Sequence, residues 1–153
     1  LSDYHWIDSV RHPVARLFSA FTFQVAKERL AATVCTAHFE EFCRLVFSNS
    51  PQLTQQQRLH TWPQSMWLPS ASVPVRFSII RQESLAEDLK RMSRDVPTFG
   101  SARLSHIGKS FEGKWRDYVS LDLQRKIEEY YAEDMMRFGY RSISIGQECG
   151  VAK

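Results

Sequence analysis

VRHPVARLFSAF, from Val10 to Phe21, is the stretch that decides the fold. Just before it, His5 to Val10 reads as a short strand. Pro13 suits the first position of a helix, where its missing N–H costs nothing. Val14, Leu17, Phe18, Phe21 and Val25 then recur at steps of three and four residues, which makes one apolar helical face. The unit is strand, tight turn, helix, the building piece of an α/β protein. Arg11 stands at the carboxyl end of the strand, where open α/β sheets bind ligands. The helix that follows begins with free N–H groups and a positive dipole end, which favour an anion. Ser19 lies two turns up, and helical side chains lean back toward the N-terminus. An Arg and a hydroxyl are thereby placed to converge on one phosphate, each charge-assisted bond contributing roughly 1.5–3 kcal/mol. The same residues also fit a plainer reading, an Arg closing a surface ion pair and a Ser inside an ordinary helix.

Outward from this unit the chain continues in helices and strands. Thr36 is expected to cap a second helix, with Phe39, Phe42, Cys43, Val46 and Phe47 as its apolar positions. Ser48 to Pro74 is polar and without obvious periodicity, and a stretch of that length is usually functional or mobile. It also holds Trp62 and Trp67, which a plain linker would not need. Val75 to Ile80 reads as a second strand ending at Arg81. Glu83 or Ser84 opens a helix with Leu85, Leu89 and Met92 on one face. Pro97 to Gly113 is irregular. Ser120 or Asp122 starts a last long helix, with Leu123, Ile127, Tyr130, Tyr131 and Phe138 along one side and Gly139 ending it. Strands separated by helices argue for a parallel α/β sheet. Two strands alone do not make a stable sheet with both faces covered. Further strands are therefore expected from sequence before Leu1, or the visible strands pair in a way the sequence does not display.

The bulk numbers bound the class. A chain of 153 residues fits one domain, and 43% hydrophobic with 24% charged residues describes a globular protein with a real core. Net charge is +3, from 20 basic against 17 acidic residues, too mild to argue for nucleic acid. Arg outnumbers Lys, and the guanidinium fork matches phosphate and sulfate oxygens, although surface solubility explains the same bias. Cys35, Cys43 and Cys149 offer neither a disulfide framework nor a zinc motif. Cys35 and Cys43 share one helix, roughly 12 Å apart along its axis, too far to bridge. No run of about 18 apolar residues is present to span a membrane.

Four stretches, in order, resemble the carbohydrate-type branch of the PAPS-dependent sulfotransferases. VRHPVARLFSAF is similar to that family's 3′-phosphate-binding segment, where an Arg at a strand end and a Ser in the next helix hold the phosphate. They match Arg11 and Ser19, and Arg16 matches a commonly basic position with a structural role. LHTWPQSMWL, Leu59 to Leu68, resembles an H-x-x-P-Q-S segment. FSIIRQESLAEDL, Phe77 to Leu89, resembles F-I-G-R-x-E-x-L-x-x-D. Leu104 to Tyr140 resembles a C-terminal pattern in which a Lys-Ser pair, here Lys109 and Ser110, precedes an aromatic stretch and a helix ending Y-x-x-D-x-x-x-F-G-Y, here YYAEDMMRFGY. The resemblance covers nearly the whole chain.

What the resemblance implies is a P-loop NTPase-like, three-layer α/β domain with a parallel sheet, residues 1–153 forming a single partial domain incomplete at its N-terminus. The donor would be PAPS, with no metal, and the acceptor a glycan or other hydroxyl-bearing molecule, with no nucleic acid partner. Arg11, Ser19, Lys109 and Ser110 would bind the donor; for the last two, a solvated Lys and a turn Ser is an equal reading. His60, Trp62 and Gln64 would face the acceptor, with His60 the candidate base. His5 is expected to be a packed strand residue, His12 to steady the turn, and His106 to lie at the surface. Arg81 and Glu83 are expected to form a buried pair orienting the next helix. Trp62, Trp67 and Trp115 suit stacking on a ring, with core packing the default.

One departure stands out. The family's phosphosulfate loop, P-K-x-G-x-T/S after a first strand, has no counterpart, and Gly108-Lys109-Ser110 follows no clear strand. The loop is expected before Leu1 in a parent enzyme, and this chain alone is expected to be inactive. Two other readings stay open. One is a non-catalytic 3′-phosphoadenosine-binding module. The other is a P-loop kinase remnant, for which Asp8 is the single weak metal-binding candidate. Location follows origin: cytoplasmic for a bacterial protein, which is favoured, or the lumenal face of the Golgi membrane for a eukaryotic one.

Overall fold

The computed structural model describes residues 5–27, 34–68, 76–96 and 115–143. The expectations placed on His106, Lys109, Ser110 and Cys149 lie outside the described residues.

Strand β1 (His5–Val10) and strand β2 (Arg76–Arg81) pair in parallel, in a register that runs from His5 opposite Arg76 to Val10 opposite Arg81. The expected parallel pairing is thus present, and these are the two strands among the described residues. Helix α1 (Pro13–Lys27) begins at the proline, as its fixed φ favours. Its apolar stripe of Val14, Leu17, Phe18, Phe21 and Val25 is buried throughout.

Helix α2 (Thr36–Phe47) lays Phe39, Phe42, Cys43 and Val46 against that stripe. Its N-cap is Cys35, not Thr36, and no side chain caps it. Thr36 already has its place in the first turn, one position too late for its hydroxyl to act as the cap.

Within the polar stretch, residues 48–68 contain more order than their composition suggests. Helix α3 (Gln55–Thr61) opens with a reciprocal capping box: Thr54 accepts from the Gln57 N–H and the Gln57 side chain accepts from the Thr54 N–H. A 3-10 turn (Gln64–Trp67) follows Pro63.

After β2, a 3-10 turn (Gln82–Ser84) precedes helix α4 (Leu85–Asp95), so the helix starts one or two residues later than expected. Asp88 in its first turn is buried and accepts from the Arg81 N–H at 2.8 Å and the Ser84 hydroxyl at 3.2 Å. Strand end and helix start are thereby tied to one carboxylate.

Ser120 caps helix α5 (Leu121–Tyr130) by accepting from the Leu123 N–H. The expected single helix breaks at Tyr131, and helix α6 (Ala132–Arg137) carries on to Gly139, whose φ of +67° suits glycine. The core is an aromatic cluster between α1, α2 and α5. Phe18 packs edge-on against Phe39 at 5.2 Å, and Ile127 and Tyr131 close it from the other side.

Candidate functional site

The carboxyl end of β1, the first turns of α1 and the α3 to 3-10 segment surround an open cleft of about 390 Å³. Arg11, Ser19, His60 and Gln64 all line it, together with Asp8, Arg16, Phe23 and Trp67. Residues from two separate stretches of the sequence therefore meet in one place.

Arg11 enters from the strand end. No hydrogen bond or ion pair engages its guanidinium among the described residues. Burial pulls its pKa down from the ordinary guanidinium value, while Glu83 and Tyr140 oppose that shift. An Arg remains charged under such a shift, so Arg11 presents a cation with unengaged donors. The Ser19 hydroxyl has no partner among the described residues either; only its carbonyl is used, accepting from Thr22 Oγ1 at 3.2 Å.

The start of α1 is less open than its position suggests. The His12 N–H donates to Glu83 at 2.6 Å, and the Val14 N–H donates to His12 Nδ1 at 3.4 Å. The N–H groups of His12 and Val14 are thus already engaged within the protein.

His12 is 2% exposed and steadies the turn, as expected. Its Nε2 lies 3.2 Å from the Arg141 carbonyl, and its ring meets Tyr140 edge-on. With Nδ1 accepting and Nε2 facing a carbonyl, the partners assign the neutral Nε2–H tautomer. Burial lowers its pKa, against the pull of the Arg141 carbonyl and of Glu128 and Glu83.

Arg16 works differently from Arg11. Its Nη2 donates to the carbonyls of His60, at 3.0 Å, and Trp62, and its Nη1 lies 3.8 Å from Asp134. The guanidinium also stands 5.7 Å from the Tyr131 ring centre. Asp134, 1% exposed, accepts from the N–H groups of Gln64 and Ser65, each at 2.8 Å. The Tyr131 hydroxyl donates to the Thr61 carbonyl at 2.5 Å. Residues 60–65 are thus strapped to α1 and α6 through their backbone. The sequence pattern names Tyr131 only as one of the apolar positions of the last helix, and Asp134 only within the YYAEDMMRFGY stretch. The available signal was their three-residue spacing in YYAEDMMRFGY, which puts both on one helical face.

His60 is exposed at the cleft mouth, its ring 5.7 Å from Phe23. Trp67 lines the cleft; Trp62 does not, but its ring leans on Trp67 at 5.8 Å. Phe23, Leu59, Trp62 and Trp67 are each between 41% and 48% exposed, an apolar rim beside a polar cleft. Asp8 gives one oxygen to the Ser9 N–H at 2.8 Å, and burial raises its pKa.

The remaining expectations divide. His5 Nε2 meets Ser78 Oγ at 2.8 Å across the strands, a packed position. Trp115 packs against the core, with the Arg116 guanidinium 4.6 Å from its ring, away from the cleft lining. Arg81 and Glu83 do not pair with each other. Arg81 donates to the Phe138 carbonyl at 2.8 Å, and Glu83 takes the His12 N–H and the Tyr140 hydroxyl. The two bind the C-terminal segment to the strand ends side by side.

The chain is a mixed α/β protein whose cleft lies at a strand's carboxyl end, where open α/β sheets bind ligands. The family model described as "Sulfotransferase family" matches residues 1–141, and the chain belongs to that family. No curated protein and no solved structure gives a significant match. Family membership points to sulfuryl transfer to a hydroxyl-bearing acceptor.

Proposed function

We propose that this chain is the 3′-phosphate-binding and acceptor-facing part of a PAPS-dependent sulfotransferase of the carbohydrate type, built on a P-loop NTPase-like domain. The observation that carries the reading is the convergence of Arg11 and Ser19 on one cleft, their side-chain donors without a partner among the described residues. The fit to a dianionic phosphate is direct: a guanidinium fork and a hydroxyl, both donors, at the edge of a partly buried site. Lys109 and Ser110 are assigned to the donor as well. The phosphosulfate end is assigned to a loop of the P-K-x-G-x-T/S kind, a motif that does not occur in this sequence.

In the reaction the acceptor oxygen attacks sulfur in line as the bond from sulfur to the 5′-phosphate oxygen breaks, and the acceptor proton passes to a base. This chain contributes binding and orientation. Arg11 and Ser19 fix the adenosine end of the donor, and positioning of that kind supplies much of the acceleration in group transfer. His60, exposed beside the cleft, is the proposed proton acceptor, and Trp62 and Trp67 offer apolar faces to a sugar ring. Gln64 lies on the same side.

Titration calorimetry with adenosine 3′,5′-bisphosphate tests the reading, with Arg11→Ala as the control. Saturable binding that the substitution weakens roughly 10- to 100-fold is expected. A folded protein that ignores the bisphosphate would refute the donor site. A second reading is a binding module without transfer activity, which needs only the Arg11 and Ser19 cleft. It predicts the same binding, but no sulfated product when the full-length protein is given PAPS and a panel of glycans.

A further inference from the structure

Gln64 lies in the cleft but is directed at the protein. It is 7% exposed. Its Nε2 donates to the Ser9 carbonyl at 3.4 Å, and its Oε1 accepts from the Arg11 N–H at 3.2 Å. Ser9 and Arg11 flank Val10, the last residue of β1 and fully buried. One side-chain amide thus offers a donor and an acceptor to alternate residues of a strand, as the peptide of a neighbouring strand would. Gln64 is itself anchored: its own N–H and that of Ser65 end on the buried Asp134 carboxylate, which Arg16 approaches at 3.8 Å. A continuous path of polar contacts runs from α6 through Gln64 to the backbone of Arg11.

We propose that Gln64 is a positioning residue that holds the Arg11 backbone so that its guanidinium projects into the cleft, and that Asp134 sets the position of Gln64. The inference rests on Arg11 as the 3′-phosphate ligand. Its physical basis is the requirement for geometry. The strand ends at Val10 and the helix begins at Pro13, so Arg11 sits where neither element fixes it. A charged donor gives its full value only when held in place. The Gln64 amide supplies that restraint at the Arg11 N–H.

The test measures the affinity of the full-length protein for adenosine 3′,5′-bisphosphate relative to adenosine 5′-monophosphate. That ratio reports the 3′-phosphate contact alone. In Gln64→Leu, which keeps bulk and loses both hydrogen bonds, the ratio is expected to fall roughly tenfold, the scale of a weakened charge-assisted bond. Affinity for the monophosphate stays unchanged. Gln64→Met, which also loses both hydrogen bonds, serves if the Leu variant does not fold; its ratio is also expected to fall. Asp134→Asn should move the ratio in the same direction. If Arg11→Ala collapses the ratio while both Gln64 variants keep it, the positioning role is wrong and the phosphate site stands. If the wild-type protein shows no preference for the bisphosphate, both readings fall together.

Discussion

Arg11 and Arg16 stand five positions apart at the start of α1, yet the structure uses them in opposite ways. Arg16 is fully engaged by two carbonyls, Asp134 and an aromatic face, whereas Arg11 has no such partner among the described residues. Their substitutions should separate accordingly. Arg11→Ala is expected to lower bisphosphate affinity roughly 10- to 100-fold while changing stability by less than about 0.5 kcal/mol. Arg16→Ala should cost about 3 kcal/mol in urea unfolding, because it leaves a buried carboxylate without its cation. His12 makes a further prediction at this scale. Its folded-state pKa lies below the ordinary 6.5 because burial disfavours the imidazolium. Below about pH 6.5 the unfolded chain takes up a proton that the folded chain resists. His12 therefore contributes its full stability above that pH, and the contribution is lost as pH falls toward the folded-state value. Urea midpoints should drop between pH 7.5 and 5.5, and His12→Asn should be less stable at pH 7.5 but show a shallower drop. An equal slope in the two proteins would assign the pH dependence to other groups.

At the scale of elements, what could be read in advance depended on how local each signal was. α1 was legible because its proline, its stripe and its burial all follow from residues within a few turns. α3 went unread although its capping box spells Thr54-x-x-Gln57, because only the half-buried Gln57 and Arg58 and the buried Thr61 face inward and no apolar stripe marks it. The break at Tyr131 was not legible either. The apolar pattern runs straight through it, and the hydroxyl's pull on the Thr61 carbonyl is a contact 70 residues away. The same holds for the site. Arg11 and Ser19 announce themselves locally, whereas the engagement of Gln64 with β1 is a long-range fact. Capping gives a test of these assignments. Thr54→Ala and Ser120→Ala should each cost about 1 kcal/mol, the usual value of an N-cap. Thr36→Ala, at a position where no cap bond exists, should stay within about 0.5 kcal/mol. A large loss at Thr36 would mean that α2 starts one residue later than the structure places it.

For the whole molecule, stability is unevenly distributed. The helices α1, α2 and α5 share a continuous aromatic and aliphatic core in which Leu17, Phe39 and Ile127 are at most 1% exposed. The sheet, by contrast, has two strands among the described residues, and Trp6 and Phe77, neighbours in its register, are 48% and 37% exposed. A parallel pair of strands is marginal by itself and gains its persistence from what packs on it. Here its secured part is the carboxyl end, where Val10 and Ile80 are buried and Gln64 and Asp88 hold the backbone at Arg11 and Arg81. Toward the amino ends the tie is a side-chain contact between the strands themselves, His5 Nε2 to Ser78 Oγ at 2.8 Å, and not an anchor to the helices. Opening of the sheet should then proceed from the amino ends toward the site without unfolding the helical core. Native-state hydrogen exchange checks this: amides of α1 and α5 should exchange at the rate of global unfolding, those near Trp6 and Phe77 much faster, and those near Val10 and Arg81 between the two. Uniform protection along both strands would show that the sheet and the helical core open as one unit, and would remove the carboxyl-end ties as the reason the cleft keeps its shape.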